Sequence, residues 1–432
     1  MSATSAQRRT PGDETRPRRN QVAALANAIE RVGRFDMPAD AALSSFFREH
    51  AEMGARDRAF VSDAVFAYLR RKRSLETLAQ TNRPRLLALA LAVRDFSHSV
   101  RELTPVINAS DARWLADFKG RGHAPLPPAV AADVPDWLWD RLGEIYGDDV
   151  RASLTRAWQA PAPLDLRVNV MKATRDAALA AFSAEGFPVA PTPYAPFGLR
   201  IDGRPMLVRH PWLVDGRIEV QDEGSQLVGL LMAPRRTDMV VDFCAGAGGK
   251  TLLLGAMMRS QGRLYAFDVA AKRLARLTPR LARSGLSNVH PQVIANERDT
   301  KVKRLAGKID RVLVDAPCTG FGTLRRNPDL KWRQTPADVV ELAAKQARIV
   351  DAAATLIKSG GRLVYATCSV LPEENDAIVD AFLASHADFV ERDVAALLAH
   401  AGVPLDTGAR LRLRPDVHGC DGFFAAVLER KP

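Results

Sequence analysis

The stretch VVDFCAGAGGKTLLL, residues 240–254, decides how this chain is read. VVDFC (240–244) is a short apolar run with β-branched residues, the pattern of a buried strand. It passes directly into Ala245, Gly246, Ala247, Gly248, Gly249, Lys250 and Thr251, and a helix is predicted from about Leu252. A glycine-rich turn at the carboxyl end of a strand lets a ligand approach the backbone, and in open α/β sheets that crevice is where ligands bind. Taken alone, the turn fits a dinucleotide site or merely a tight connection. A Walker phosphate loop is a poor fit, because the spacing before Gly249-Lys250-Thr251 is too short.

Further strands are predicted at RLYAFD (263–268), HPQVIA (290–295), RVLVDAP (311–317) and GGRLVYATCS (360–369), with helical stretches between them. That alternation predicts a doubly wound, mostly parallel sheet over residues 216–432. The second strand ends in Asp268, and an acid there can hold ribose hydroxyls, although a structural acid is the plainer alternative. The fourth strand leads into Asp315-Ala316-Pro317-Cys318 and the fifth into Ala366-Thr367-Cys368-Ser369. Both cysteines therefore fall on the same edge as the glycine turn. A free cysteine is usually a small core residue, but two of them above a ligand crevice invite a chemical reading.

Upstream, residues 136–215 read as a small α+β segment, with strands at LDLRVNV and GLRIDG and a helix over 176–186. Residues 121–135, rich in Gly, Pro and Ala, read as a linker. Residues 21–120 read as a helical domain, with Phe60, Val61, Val65 and Leu69 on one helical face and the cluster Arg70–Arg73 closing a helix. Residues 1–20 read as a basic, disordered tail.

The chain has 432 residues, a formal net charge of +11 and four cysteines. The charge favours polyanionic partners, nucleic acid above all. So few cysteines exclude a disulfide framework and suit a reduced, cytoplasmic setting. The first twenty residues lack the apolar core of a signal peptide and no apolar run is long enough to span a membrane, so neither a leader nor a membrane span is expected. No Cys/His cluster has zinc spacing, so no metal is expected. A monomer is the default expectation.

Two thiols and a carboxyl group at one edge suit chemistry on a cytosine ring. Carbon 5 of cytosine is too weak a nucleophile to take a methyl group unaided. A thiolate added at carbon 6 makes the ring enamine-like, and a carboxyl group such as Asp315 can hold the N3 edge. A second thiol can assist the release. The motifs GAGGKT, DAPCTG, RRNPDLKW (325–332) and YATCS, taken in order, resemble the Sun/Fmu family of RNA cytosine-carbon-5 methyltransferases. VQDEGSQL (220–227) and DGFFAAVLER (421–430) extend the resemblance from about residue 136 to the end. More loosely, DRAFVSDAVFAYLRR is similar to the NusB-like RNA-binding domain of the bacterial ribosomal branch.

The resemblance implies a Rossmann-like class I methyltransferase domain with S-adenosylmethionine as cofactor. It implies Cys368 as nucleophile, Cys318 as the release cysteine, Asp315 at the base and the reactive end of the cofactor, and Lys250 beside them. Residues Cys244, Ala245, Gly246, Ala247, Gly248, Gly249 and Lys250 would wrap the methionine part, and Asp268 the ribose. Small-subunit (16S) ribosomal RNA is the implied substrate, with transfer RNA as the alternative. A non-catalytic RNA assembly factor is opposed by the intact Cys318, Cys368 and Asp315. A DNA methyltransferase would carry its nucleophile in the fourth-strand Pro-Cys, and a small-molecule enzyme would not need the basic charge.

Two features depart from the family pattern. Its Ala-Pro-Gly-Gly-Lys turn is here Gly246-Ala247-Gly248-Gly249-Lys250, which loses a preset backbone angle. Its Asp beside the adenine is missing, and Glu297, or else Asn296, takes that place. Arg325, Arg326, Lys331, Trp332 and Arg333 read as RNA-contacting cations around an aromatic, against a solvated loop with a buried Trp. The run Lys272, Arg273, Arg276, Arg280, Arg283 reads as a solvated face.

Overall fold

The computed structural model describes residues 19–432 apart from His123 and Arg204. The expected basic tail, apart from its last two residues, lies outside the described residues. The chain forms two compact units: one ends at Ala160 and takes in Asn327–Arg333, and the other holds Pro161–Arg326 and Gln334–Pro432. The division therefore falls after the helix Asp136–Trp158, downstream of the Gly/Pro-rich stretch.

The first unit is helical. Val61, Val65 and Leu69 of the helix Ala55–Ala79 are fully buried, as their spacing requires, while Phe60 is only partly so. Arg70–Arg73 do not close this helix. They sit within it at a kink on Arg71, and three are paired inside the unit: Arg71 with Asp95, Lys72 with Glu76, Arg73 with Asp136. The end of the expected linker is packed. Val134 is buried, and the Asp133 carboxylate accepts from Ser74 N at 2.7 Å and Ser74 Oγ at 2.8 Å.

Asn327–Arg333 completes this unit from far away in sequence. Asp329 Oδ2 accepts from Ala39 N at 3.2 Å and caps the helix Ala39–Glu49, which Pro38 leaves uncapped. Lys331 Nζ donates to the Arg70 carbonyl at 2.9 Å, and Trp332 Nε1 to the Leu69 carbonyl at 2.8 Å. Lys331 and Trp332 are thus internal anchors rather than an RNA-contacting loop.

The second unit has two sheets. Strands β1 (Leu164–Val168), β2 (Val189–Pro191), β3 (Gly198–Ile201) and β4 (Ile218–Val220) form an antiparallel sheet in the order β2-β3-β1-β4. The larger sheet contains β5 (Met239–Asp242), β6 (Arg263–Asp268), β7 (Val289–Val293), β8 (Ile309–Asp315), β9 (Ile357–Thr367), β10 (Phe389–Arg392), β11 (Leu411–Leu413) and β12 (Phe423–Arg430). Its order is β10-β12-β9-β8-β5-β6-β7, with β11 on β12. From β7 to β9 every pairing is parallel, and β12 returns antiparallel to β9. Successive residues Val312, Leu313 and Val314 are all buried because both faces of the sheet are covered, which is why these strands read as apolar runs.

The chain moves outward from β5 through β6 to β7, then crosses back to place β8 on the other side of β5. Strand order reverses there, and the crevice between β5 and β8 opens at their carboxyl ends. Asp242 lies opposite Leu313, and Asp315 opposite Ala366, so the ends of β5, β8 and β9 form one edge. The architecture is the Rossmann-like one expected from residues 240–369, extended by the three strands β10, β11 and β12.

Candidate active site

The glycine turn leaves β5 and feeds the helix Gly249–Met257. Gly248 has φ +84°, and a Cβ there would lie 2.2 Å from Leu277 Cδ1, so only glycine fits without rearrangement. Gly246 N donates to Asp268 Oδ2 at 2.8 Å, which ties the turn to the end of β6. Asp268 Oδ1 accepts from Ala270 N and from Arg273. At the position of the missing proline, Arg280 donates to the Ala247 carbonyl at 2.6 Å while its guanidinium pairs with Glu219 at 2.9 Å. Arg283 pairs with the same Glu219 at 2.8 Å. Three members of the basic run, Arg273, Arg280 and Arg283, are therefore ion-paired rather than a merely solvated face.

A cavity of about 480 Å³ opens above this edge. Cys244, Ala245, Gly246, Ala247, Gly249 and Lys250 line it from the turn, Asp268 from β6, Glu297 from beyond β7, and Asp315, Cys318 and Cys368 from β8 and β9. Gly248 shapes the turn but does not line the cavity. Of the two acid-position candidates, Glu297 lines it, whereas Asn296 Oδ1 accepts from Arg298 N. Lys250 Nζ donates to Asp315 Oδ2 at 2.9 Å and sits 5.0 Å from the centre of the Phe423 ring. Burial works against the Lys250 charge, but the Asp315 carboxylate more than offsets it, and the net proton affinity is raised.

Cys318 Sγ and Cys368 Sγ are 3.4 Å apart and unbonded. The hydrogen bond to Cys368, together with burial, holds the Cys318 proton well above the usual thiol range. An ionised Cys368 in turn adds to the charges that favour protonated Lys250. One sulfur thus carries the proton and faces another able to accept it. Burial raises Cys244 far above the ordinary thiol range, so that thiol is inert.

Both cysteine turns converge on Glu374, which is fully buried. Its Oε1 accepts from Thr319 N at 2.8 Å and Gln346 Nε2 at 3.1 Å, and its Oε2 from Thr319 Oγ1 at 2.5 Å and from Ser369 Oγ. Next to it, Asn375 Oδ1 accepts from Thr367 Oγ1 at 2.5 Å, and Asn375 Nδ2 donates to the Ser369 carbonyl at 3.1 Å. Gly322 N donates to the Cys368 carbonyl at 2.8 Å, and a Cβ on Gly322 would fall 2.0 Å from the Gly422 carbonyl oxygen. The turn carrying Cys368 is thereby packed from three sides.

Reading the sequence passed over Asp242, Gln221, Lys345 and Glu374, of which the first three line the cavity. Asp242 was in view as the single acid within VVDFC, an expensive residue in a buried strand. Glu374 gives no local signal, since its partners come from residues 319, 346 and 369.

Residues 229–429 match the family described as 16S rRNA methyltransferase RsmB/F, and residues 134–207 match the ferredoxin-like domain of RsmF/B-like methyltransferases. The chain is 34% identical over 362 residues to Ribosomal RNA small subunit methyltransferase B of Escherichia coli O127:H6, covering 83% of this chain and 76% of that protein. It is 29% identical over 436 residues to a probable ribosomal RNA small subunit methyltransferase B of Synechocystis sp., covering 93% and 97%. Among solved structures it resembles PH0851, with a TM-score of 0.79 at 25% identity over 96% of this chain and 99% of that one. It also resembles a methyltransferase homologue from Pyrococcus horikoshii, with a TM-score of 0.59 at 28% identity over 70% and 97%. On this likeness in sequence and in fold, the chain belongs to the RsmB/F family of 16S rRNA methyltransferases.

Proposed function

We propose that this protein methylates carbon 5 of a cytosine in small-subunit ribosomal RNA, using S-adenosylmethionine and a transient bond from Cys368 to carbon 6 of the ring. The observation that carries this reading is the pair of free sulfurs 3.4 Å apart, lining one cavity with the Lys250–Asp315 ion pair. The relatives named above as small-subunit ribosomal RNA methyltransferases supply the substrate. The net charge of +11 suits a polyanion.

The cavity suits the cofactor. It offers a glycine turn open to close approach, the Asp268 carboxylate for ribose hydroxyls, and a buried Asp242 Oδ1 that lacks a hydrogen-bond partner. Glu297, which lines the same cavity, would meet the adenine edge. When bound there, S-adenosylmethionine supplies an electrophilic methyl group.

The chain's own residues account for the rest. Cys368 thiolate forms a bond to carbon 6, and the ring's electrons shift toward carbon 5 and the N3 edge. The Lys250–Asp315 pair faces that edge and offsets the charge that develops there. Once carbon 5 carries the methyl group, Cys318 as thiolate takes the carbon 5 proton. The carbon–hydrogen electrons re-form the double bond, the bond from carbon 6 to sulfur breaks, and Cys368 departs as thiolate.

The test is a pair of variants incubated with unmodified small-subunit ribosomal RNA transcript and S-adenosylmethionine, read on a denaturing gel. Cys318→Ala is expected to accumulate a covalent RNA adduct, and Cys368→Ala to give neither adduct nor methylated product. An adduct from Cys368→Ala and none from Cys318→Ala would reverse the roles. Full turnover by Cys368→Ala would end the proposal.

A further inference from the structure

We infer that Glu374 is the positioning residue that sets the two cysteine turns against one another, so that release of the RNA is matched to its capture. This rests on the covalent reading above. Cys318 and Cys368 come from the turns that follow the paired strands β8 and β9, and one backbone bond, Gly322 N to the Cys368 carbonyl at 2.8 Å, ties the two turns together. Glu374 adds a side-chain link between them. It bonds the residue after each cysteine, Thr319 through both backbone and hydroxyl and Ser369 through its hydroxyl. Gln346, itself fully buried, donates both to Glu374 and to the Pro317 carbonyl just before Cys318. A carboxylate with no exposure is costly to bury and persists where several donors satisfy it.

Its charge has a second effect. The Glu374 carboxylate raises the proton affinity of Cys318, adding to the hydrogen bond that Cys318 donates to Cys368 and to burial. While Cys368 is ionised, Cys318 therefore stays a thiol and does not compete for the ring. Once the Cys368 sulfur is bonded to carbon 6, its hydrogen bond to Cys318 is lost and Cys318 can give up its proton to solvent. The Glu374 charge remains, so the thiolate is a stronger base when it takes the carbon 5 proton.

Three variants separate position from charge. Glu374→Gln can keep every contact, because its amide oxygen accepts from Thr319 N and Gln346 while its NH2 donates to the two hydroxyls, which can turn to accept. It removes only the charge. Glu374→Asp keeps the charge and loses the reach. Glu374→Ala loses both. Full-length protein is mixed with unmodified small-subunit ribosomal RNA transcript and S-adenosylmethionine, and adduct formation and decay are followed on denaturing gels across pH 6 to 9.

Glu374→Gln is expected to form adduct at close to the parent rate and to shift the pH dependence of adduct decay toward acid. Its decay at the alkaline plateau should be slower by about tenfold. Glu374→Asp should restore the parent pH dependence of decay while slowing formation, and Glu374→Ala should impair both steps. Formation and decay falling together in Glu374→Gln, with the pH profile unmoved, would overturn the inference, as would a Glu374→Gln too unfolded to bind RNA. Absence of any adduct in the Cys318→Ala control would instead remove the covalent reading on which it rests.

Discussion

Asp242 sits at the end of β5 with one oxygen bonded to Thr251 Oγ1 at 2.6 Å and the other unpartnered. Burial pushes its carboxyl up to about 7, more than the Thr251 hydrogen bond pulls it down. The folded state therefore holds a proton that the unfolded chain releases near pH 4. Between about pH 4 and 7 the native protein binds more protons than the unfolded one, so stability falls as pH rises through that window and stays lowered above it. Asp242→Asn removes this dependence. Its unfolding free energy relative to the parent, measured by denaturant unfolding, should climb from pH 4 to pH 7 and then level off, by an amount of order a few kcal/mol. A difference that does not vary with pH would sink the argument. Single residues were unevenly legible in the sequence. Lys250, Asp315, Cys318 and Cys368 announce themselves because each stands at, or shortly beyond, the carboxyl end of a strand. Asp242 and Glu374 do not, since what makes them unusual is burial, and burial of a lone acid depends on partners distant in the chain.

Elements were easier to read where their signals were local. The parallel strands β5 to β9 are apolar runs bounded by Gly, Pro or Asp, and all five lie within a few residues of the expected places. β10 and β11, of four and three residues, carry too little pattern to stand out. The cofactor turn shows how one element compensates for another. A proline at position 247 would fix a backbone angle, and here Arg280 instead holds the Ala247 carbonyl from the neighbouring helix Leu277–Ser284, itself oriented by Glu219. Arg280→Met keeps the stem and loses the donor. Hydrogen bonds from charged groups contribute about 1.5–3 kcal/mol, so affinity for S-adenosylhomocysteine should fall by roughly tenfold or more, with the melting temperature moved much less. Calorimetric titration measures the first and thermal unfolding the second. Unchanged affinity beside a large loss of stability would mean that Arg280 serves only the packing of its own helix.

Across the whole molecule, sequence order and structural membership part company at Asn327–Arg333. The chain leaves the catalytic unit after Arg326, contributes seven residues to the helical unit, and returns at Gln334. Composition could show only cations around a tryptophan, a pattern shared by RNA-binding loops and by internal anchors. What decides is that Lys331 is 1% exposed and spends its amine on the Arg70 carbonyl. Burial pulls that amine down to about 7, against the attraction of Asp133 and with the help of the Arg70 charge. In the unfolded chain the lysine keeps its proton to about pH 10.5. Between pH 7 and that value the unfolded state binds more protons than the native one, so this group makes the protein more stable as pH rises. Below pH 7 the native state carries the full cost of a buried, singly bonded ammonium. Lys331→Met fills the same space without charge. Its stability advantage over the parent should be largest at pH 6 to 7 and shrink steadily toward pH 10, measured by denaturant unfolding of the helical unit's far-UV signal. An advantage that grew with pH, or a loss of stability at every pH, would show that the Arg70 carbonyl needs its donor more than the interior resists the charge.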